Sequence, residues 1–238
     1  ALAEAWTVKD KAAVKSAVNT VIRVSMLIAL PAGIGMGVLA EPILTLIYGR
    51  GRMAADIPMI APMVAVFGFT TAFMSISTPL TNLLQAVGRT DIPVKTMLVS
   101  AVVKIICNFA LVGIPGINFN GAVIGTVLFY VINVVLNIIA VIKVTKVRID
   151  IMSDLIKPLI SAAMCGLAAW AAYGLLGSYA LKNVSHGSDI ALLAAIIIAV
   201  MVYAIAILVF KGVVREDIES LPAGEKIAKI LEKYKLLG

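Results

Sequence analysis

Six apolar runs are each long enough to cross a hydrocarbon core, and nothing else in the sequence limits the possible folds as tightly. They lie at 17–40, 57–86, 95–113, 120–142, 157–177 and 189–211. A core of about 30 Å needs about 20 apolar residues as helix. In lipid every backbone N–H and C=O must be paired within the protein, so such runs must be helices. Composition agrees: 61% of the 238 residues are hydrophobic and 14% charged, with a mean hydropathy of +1.06. A soluble domain carries about 25% charged residues. The expected fold is all-α, a polytopic membrane helix bundle of six transmembrane helices. Four regions are expected: an amphipathic lead-in at 1–16, four spans at 17–145, two peripheral spans at 146–211, and an amphipathic tail at 212–238.

Charge sets the expected orientation. Fifteen Lys and Arg residues fall in flanks on one side of the spans, including Lys9, Lys11, Lys15, Arg89, Lys95, Lys143, Lys146 and the tail lysines. Only Arg50, Arg52 and Lys182 fall on the other. The positive-inside rule then puts both termini in the cytoplasm. The net charge of +7 serves orientation. No basic patch carries interleaved aromatics, which excludes nucleic acid as a partner. The tail places Ile227, Ile230, Leu231 and Tyr234 on one stripe of a short basic helix suited to the inner membrane surface. The segment "EPILTLIYGRGRM" is suited to a short helix at the outer face.

Cys107 and Cys165 sit in apolar runs as small buried hydrophobes, and two isolated thiols make no metal site. His186 is a solvated loop residue. No metal or cofactor is expected. "ALAEAWTVKD" has neither the basic start nor the apolar core of a signal peptide, so the chain reads as beginning partway through something longer.

Polar residues are distributed unevenly. The last two spans carry little beyond Ser161, Tyr173 and Tyr203, and are expected to face lipid. The second span aligns Thr71, Ser75, Thr78, Asn82 and Gln85; the third, Thr96, Ser100, Lys104 and Asn108; the fourth, Thr126, Tyr130, Asn133 and Asn137. Each set shares one helix face. Such residues commonly bond helices together in membranes. A lysine is different, because a mid-membrane charge costs about 2.5–3.5 kcal/mol on insertion scales. At 1.5 Å per residue, Lys104 lies about 14 Å into its span and Arg23 about 9 Å into the first. Arg23 could snorkel to the surface; Lys104 needs a shared polar cavity. All 13 carboxylates lie in flanks or loops. This leaves no Asp/Glu proton relay or cation site within the spans, and points to an anionic ligand such as phosphate or diphosphate. The candidate substrate-binding residues are Lys104, Arg23, Asn108, Asn82, Gln85, Asn133 and Asn137. None is catalytic.

"LPAGIGMGVLAEPILTLIYG", "LLQAVGRTDIPVK", "VVKIICNFALVGIPGINFNGAVIGT" and the closing "LPAGEKIAKILEKYKLLG" together resemble the stage V sporulation protein B family. That family belongs to the polysaccharide transporters of the multidrug/oligosaccharidyl-lipid/polysaccharide exporter superfamily. The resemblance implies fourteen helices in two six-helix lobes plus two extra, with these six spans as helices nine to fourteen. It implies flipping of undecaprenyl-diphosphate-linked sugars across the bacterial cytoplasmic membrane by alternating access, with no enzymatic step. The implied partners are the polyprenyl diphosphate sugar, membrane lipids and the N-terminal lobe of the same protein, without which this part is not expected to transport. A cation-coupled drug antiporter of the same fold and a non-transporting scaffold for envelope synthesis are the rivals. A glycosyl or phosphoglycosyl transferase is disfavoured by the lack of clustered acids.

Overall fold

The computed structural model describes residues 2–114, 120–147, 156–177, 186–210, 212 and 214. The region proposed as the amphipathic tail lies almost wholly outside these. The described residues are almost wholly helical, with no strand among them. The helices are α1 (Leu2–Thr7), α2 (Lys11–Val38), α3 (Ala40–Tyr48), α4 (Ile57–Ala86), α5 (Asp91–Val112), α6 (Asn120–Thr145), α7 (Lys157–Leu175) and α8 (Gly187–Val209). A 3₁₀ turn, Arg52–Asp56, leads into α4. Among the described residues six helices are long and apolar enough to cross a membrane: α2, α4 with its 3₁₀ lead-in, and α5 to α8. The short helix expected in "EPILTLIYGRGRM" is α3.

Two boundaries move outward from the apolar runs. Helix α2 starts at Lys11 because Asp10 caps it: Asp10 Oδ1 accepts the N–H groups of Ala12 and Ala13 at 2.9 and 3.1 Å. Helix α5 starts at Asp91, directly after a tight turn. There Arg89 N–H donates to Leu84 O and Gly88 N–H to Gln85 O, both at 2.9 Å. Gly88, at φ +77°, supplies the left-handed residue this helix ending requires. Asp91 then pairs with Arg89 and Lys95 at 3.2 and 3.1 Å.

The chain forms two compact units. The first holds residues 1–25 and 69–150, the second 26–68 and 151–238. In the first, α5 and α6 pack along their length. Gly121 and Gly125, one turn apart on α6, make this contact close. A methyl at Gly121 would lie 2.8 Å from Leu111 Cβ, and one at Gly125 would overlap Asn108 Oδ1. This small-xxx-small spacing lets two backbones approach where lipid supplies no hydrophobic drive.

In the second unit α7 and α8 pack together, with the mostly small Ala162, Cys165 and Ala169 of α7 and Leu192, Ala195 and Ala199 of α8 all nearly inaccessible. A methyl at Gly166 would lie 2.6 Å from Ile34 Cγ2, so α7 also presses on α2. Gly68 of α4 meets Gly37 of α2 backbone to backbone; a methyl there would lie 2.5 Å from the Gly37 nitrogen. The last two spans are thus half core and half exposed, with Leu167, Trp170, Leu193 and Ile197 outward. Cys165 is buried as expected, whereas Cys107 is half-buried.

Tyr203 has a specific task in this unit. Its hydroxyl donates to the Leu27 carbonyl at 2.7 Å. Leu27 is four residues before Pro31, which lies inside α2 and has no N–H to return. A side chain from α8 pairs the carbonyl that the proline leaves open, as a membrane interior demands.

Candidate functional site

The polar stripes of α4, α5 and α6 have different fates in the first unit. One part is a closed hydrogen-bond chain. Ser77 Oγ of α4 donates to Asn133 Oδ1 at 2.6 Å. Asn137 Nδ2 donates to the same oxygen at 3.1 Å. Thr96 Oγ1 of α5 donates to Asn137 Oδ1 at 2.7 Å. One turn on, Ser100 Oγ donates back to the Thr96 carbonyl at 2.8 Å. Asn137 is only 1% exposed and Ser100 wholly enclosed. Asn133 and Asn137 therefore lash α4 and α5 to α6, with amide oxygens already engaged by protein donors. Thr126 likewise bonds within its own helix, to the Ala122 carbonyl at 2.9 Å.

The second part is open. Lys104 continues the Thr96–Ser100 face but lies beyond the closed chain and is half-buried. Its Nζ stands 5.8 Å from the centroid of the Phe129 ring on α6. Phe129 is held edge-on to Tyr130, with ring centroids 5.0 Å apart at 88°. The ring face offers partial negative charge to the ammonium, about 0.5–2 kcal/mol depending on desolvation. Among the described residues, no carboxylate pairs with Lys104. Because α5 starts early, Lys104 sits about 20 Å from its first residue and about 12 Å from its last. One turn further, Asn108 presents Oδ1 buried against Gly125 with no hydrogen-bond donor. A cation and an unengaged amide oxygen thus stand on adjacent turns, steadied by an aromatic ring.

The third part faces outward. Ser75, Thr78, Asn82 and Gln85 of α4 are exposed, opposite in duty to the half-buried Ser77 on the same helix. Pro79 lies among them and has no N–H for the Ser75 carbonyl. Arg23 is 7% exposed, about 18 Å along α2, and does not reach a surface as the snorkelling alternative requires. Asn19, one turn earlier, has its Oδ1 buried without a donor.

Sequence reasoning missed Phe129, Gly125 and the pairing of Tyr203. Two of these had a signal. Gly121 and Gly125 form a visible small-xxx-small pair, and Pro31 announces an open carbonyl at Leu27. Phe129, by contrast, is one aromatic among many on an apolar helix. His186 is exposed, as expected of a solvated residue, but it is not alone. Asp189 Oδ2 accepts from Arg50 Nη2 at 2.9 Å and lies 3.3 Å from His186 Nδ1, which also contacts Arg50. Among the described residues no three His, Cys, Asp or Glu side chains cluster as metal ligands.

Six helices long and apolar enough to span a membrane, three of them tied by a buried polar chain, with a cation that no described carboxylate neutralises within one of them, mark a multi-pass membrane protein with polar groups inside its bundle. A family model for the lipid II flippase MurJ matches residues 1–192. A probable lipid II flippase MurJ from Bdellovibrio bacteriovorus is 28% identical over 183 residues, covering 75% of this chain and 34% of that protein. No solved structure matches the chain. The chain belongs to the lipid II flippase MurJ family, a member of the exporter superfamily to which its segments point. It spans about a third of the length of the curated relative it matches.

Proposed function

We propose that this chain is the C-terminal part of a flippase for polyprenyl-diphosphate-linked peptidoglycan or oligosaccharide precursors, and that Lys104 draws the diphosphate into the membrane. The observation that carries this reading is Lys104: a mid-span ammonium set against the Phe129 ring and unpaired by any described carboxylate. An anion is the natural counterpart of such a cation, and lysine binds phosphate as a point charge.

Family membership supports a lipid-linked substrate and a transport cycle with no covalent step. On this reading Arg23 adds a second cation, Asn82 and Gln85 offer hydrogen bonds to sugar or phosphate, and α7 and α8 border the lipid tail. Asn133 and Asn137 serve at one remove, by fixing the helices that carry the others. Both termini of the chain lie in the cytoplasm, and the exposed polar face of α4 meets an N-terminal lobe of the same protein. Within the superfamily, segments 30–49, 83–95 and 102–126 liken the chain to the stage V sporulation protein B branch.

The test is native mass spectrometry of lipids that co-purify with the full-length protein and with its Lys104→Met variant. The expected result is a polyprenyl-diphosphate sugar on the wild type, lost from the variant. Equal retention by both would remove Lys104 from the site. Absence of any such lipid from both, under conditions that keep ordinary phospholipids bound, would overturn the flippase reading in favour of an antiporter or a scaffold.

A further inference from the structure

A second cationic site lies in the first unit, where α2 begins and α6 ends. A groove of about 700 Å³ is lined by Trp6, Lys9, Lys11, Lys15, Lys146 and Val147, among others. That volume lies within the usual range for small-ligand sites, about 300–1,000 Å³. The lining is two-sided, with four lysines and an apolar floor that includes Val14 and Val144. None of the four lysines is in an ion pair with a described residue. The nearby Asp10 already accepts two backbone N–H groups at the start of α2.

Local backbone brings the four lysines together. Lys9 and Lys146 both take left-handed conformations, at φ 59° and 56°, in the turns that flank the groove. Between α1 and α2 the turn is closed by Lys9 N–H donating to Trp6 O and Asp10 N–H to Ala5 O, and Trp6 lies beside the end of α6. Trp6 and Val144 also line a further recess of about 490 Å³ that includes Arg89 and Lys143. The groove lies at the start of α2 and the end of α6, both long and apolar enough to span a membrane, and the end of a spanning helix lies at the level of lipid headgroups. Tryptophan favours that level, because its ring has an apolar body and a polar edge.

We propose that this groove binds the headgroup of an anionic glycerophospholipid, with the phosphodiester among Lys9, Lys11, Lys15 and Lys146 and the glycerol end against Trp6 and Val144. Basic pockets between spanning helices hold lipid headgroups in this way. A soluble anion would use the lysines but gain nothing from the apolar floor. The site depends on the membrane-spanning reading of the helices and is independent of the flippase reading.

The test measures phosphatidylglycerol and phosphatidylcholine of equal chain length on the full-length protein by native mass spectrometry. Wild type is expected to retain phosphatidylglycerol preferentially. The K9Q/K11Q/K15Q/K146Q variant should lose that preference, at about five-fold per lysine and about several hundred-fold together where the four contributions add. The matching arginine variant should keep it, which separates loss of charge from loss of fold. Lys104→Met should leave it unchanged whatever happens to precursor binding. Equal retention by the glutamine variant, no preference in the wild type, or displacement by millimolar inorganic phosphate would each overturn the proposal.

Discussion

Replacing Tyr203 with phenylalanine isolates one hydrogen bond whose necessity follows from the chain itself. Pro31 removes the N–H that would close the helix on the Leu27 carbonyl, and the Tyr203 hydroxyl fills the gap at 2.7 Å. Phenylalanine keeps the ring and its packing against the buried cluster that includes Cys165 and Ala199. Only the donor is lost. Side-chain hydrogen bonds between membrane helices average about 0.6 kcal/mol and reach about 1.7. This one should lie near the top of that range, because the carbonyl has no helical donor to return to. We expect about 1.5 kcal/mol, roughly a tenfold shift in the unfolding equilibrium.

The same substitution in a Pro31→Ala background should cost less than about 0.5 kcal/mol, since alanine at that position restores the N–H. Reversible unfolding in mixed detergent of the four proteins gives the coupling directly, and the cycle cancels any change that Pro31→Ala makes to the bend of α2. A Tyr203→Phe cost that is the same with proline and with alanine would refute the reasoning. So would a cost near zero in the parent.

Gly125→Ala should destabilise the α5–α6 pair by about 1–3 kcal/mol, because the methyl overlaps Asn108 Oδ1; detergent unfolding measures this, and Asn108→Ala should recover part of the loss. Gly88→Ala should cost about 1–2 kcal/mol from backbone strain alone, since φ is +77° and nothing lies within 4 Å of the added methyl; Gly88→Asn should cost less in the same assay. Asn137→Leu should break the Thr96–Asn137–Asn133 chain and cost about 1–3 kcal/mol while leaving Asn108 unaltered; a variant as stable as wild type would show the chain to be dispensable. Asp10→Ala should fray the start of α2 for about 0.5–2 kcal/mol, visible as faster hydrogen exchange at Ala12 and Ala13.

The six spans were legible because lipid leaves a chain few choices, and a run such as 189–211 admits only a helix. Their polar faces were legible too, since residues four apart share a face in any helix. What the sequence could not disclose was which members of a face would be consumed in packing. Ser75 and Ser77 are two residues apart on α4, yet Ser77 bonds Asn133 and Ser75 is exposed. Asn133 and Asn108 are chemically identical, yet one has its amide oxygen paired and the other does not. That division depends on the rotation of each helix about its axis, which is set by small residues such as Gly121 and Gly125. Helix starts also eluded hydropathy. Asp10 and Gly88 fix them by capping and turn geometry, in polar sequence where hydropathy carries no signal.

The outward polar face of α4 bears on how such a protein is made. From Ser75 to Gln85 it runs for about 15 Å of helix, and acyl chains can satisfy none of its side chains. During synthesis this helix is a poor candidate for release into open bilayer on its own. It would be retained beside the insertion machinery, or shielded by an earlier segment, until a polar surface arrives to meet it. Assembly would then be timed by α4, and a cell could recognise an unfinished copy by the face it leaves uncovered.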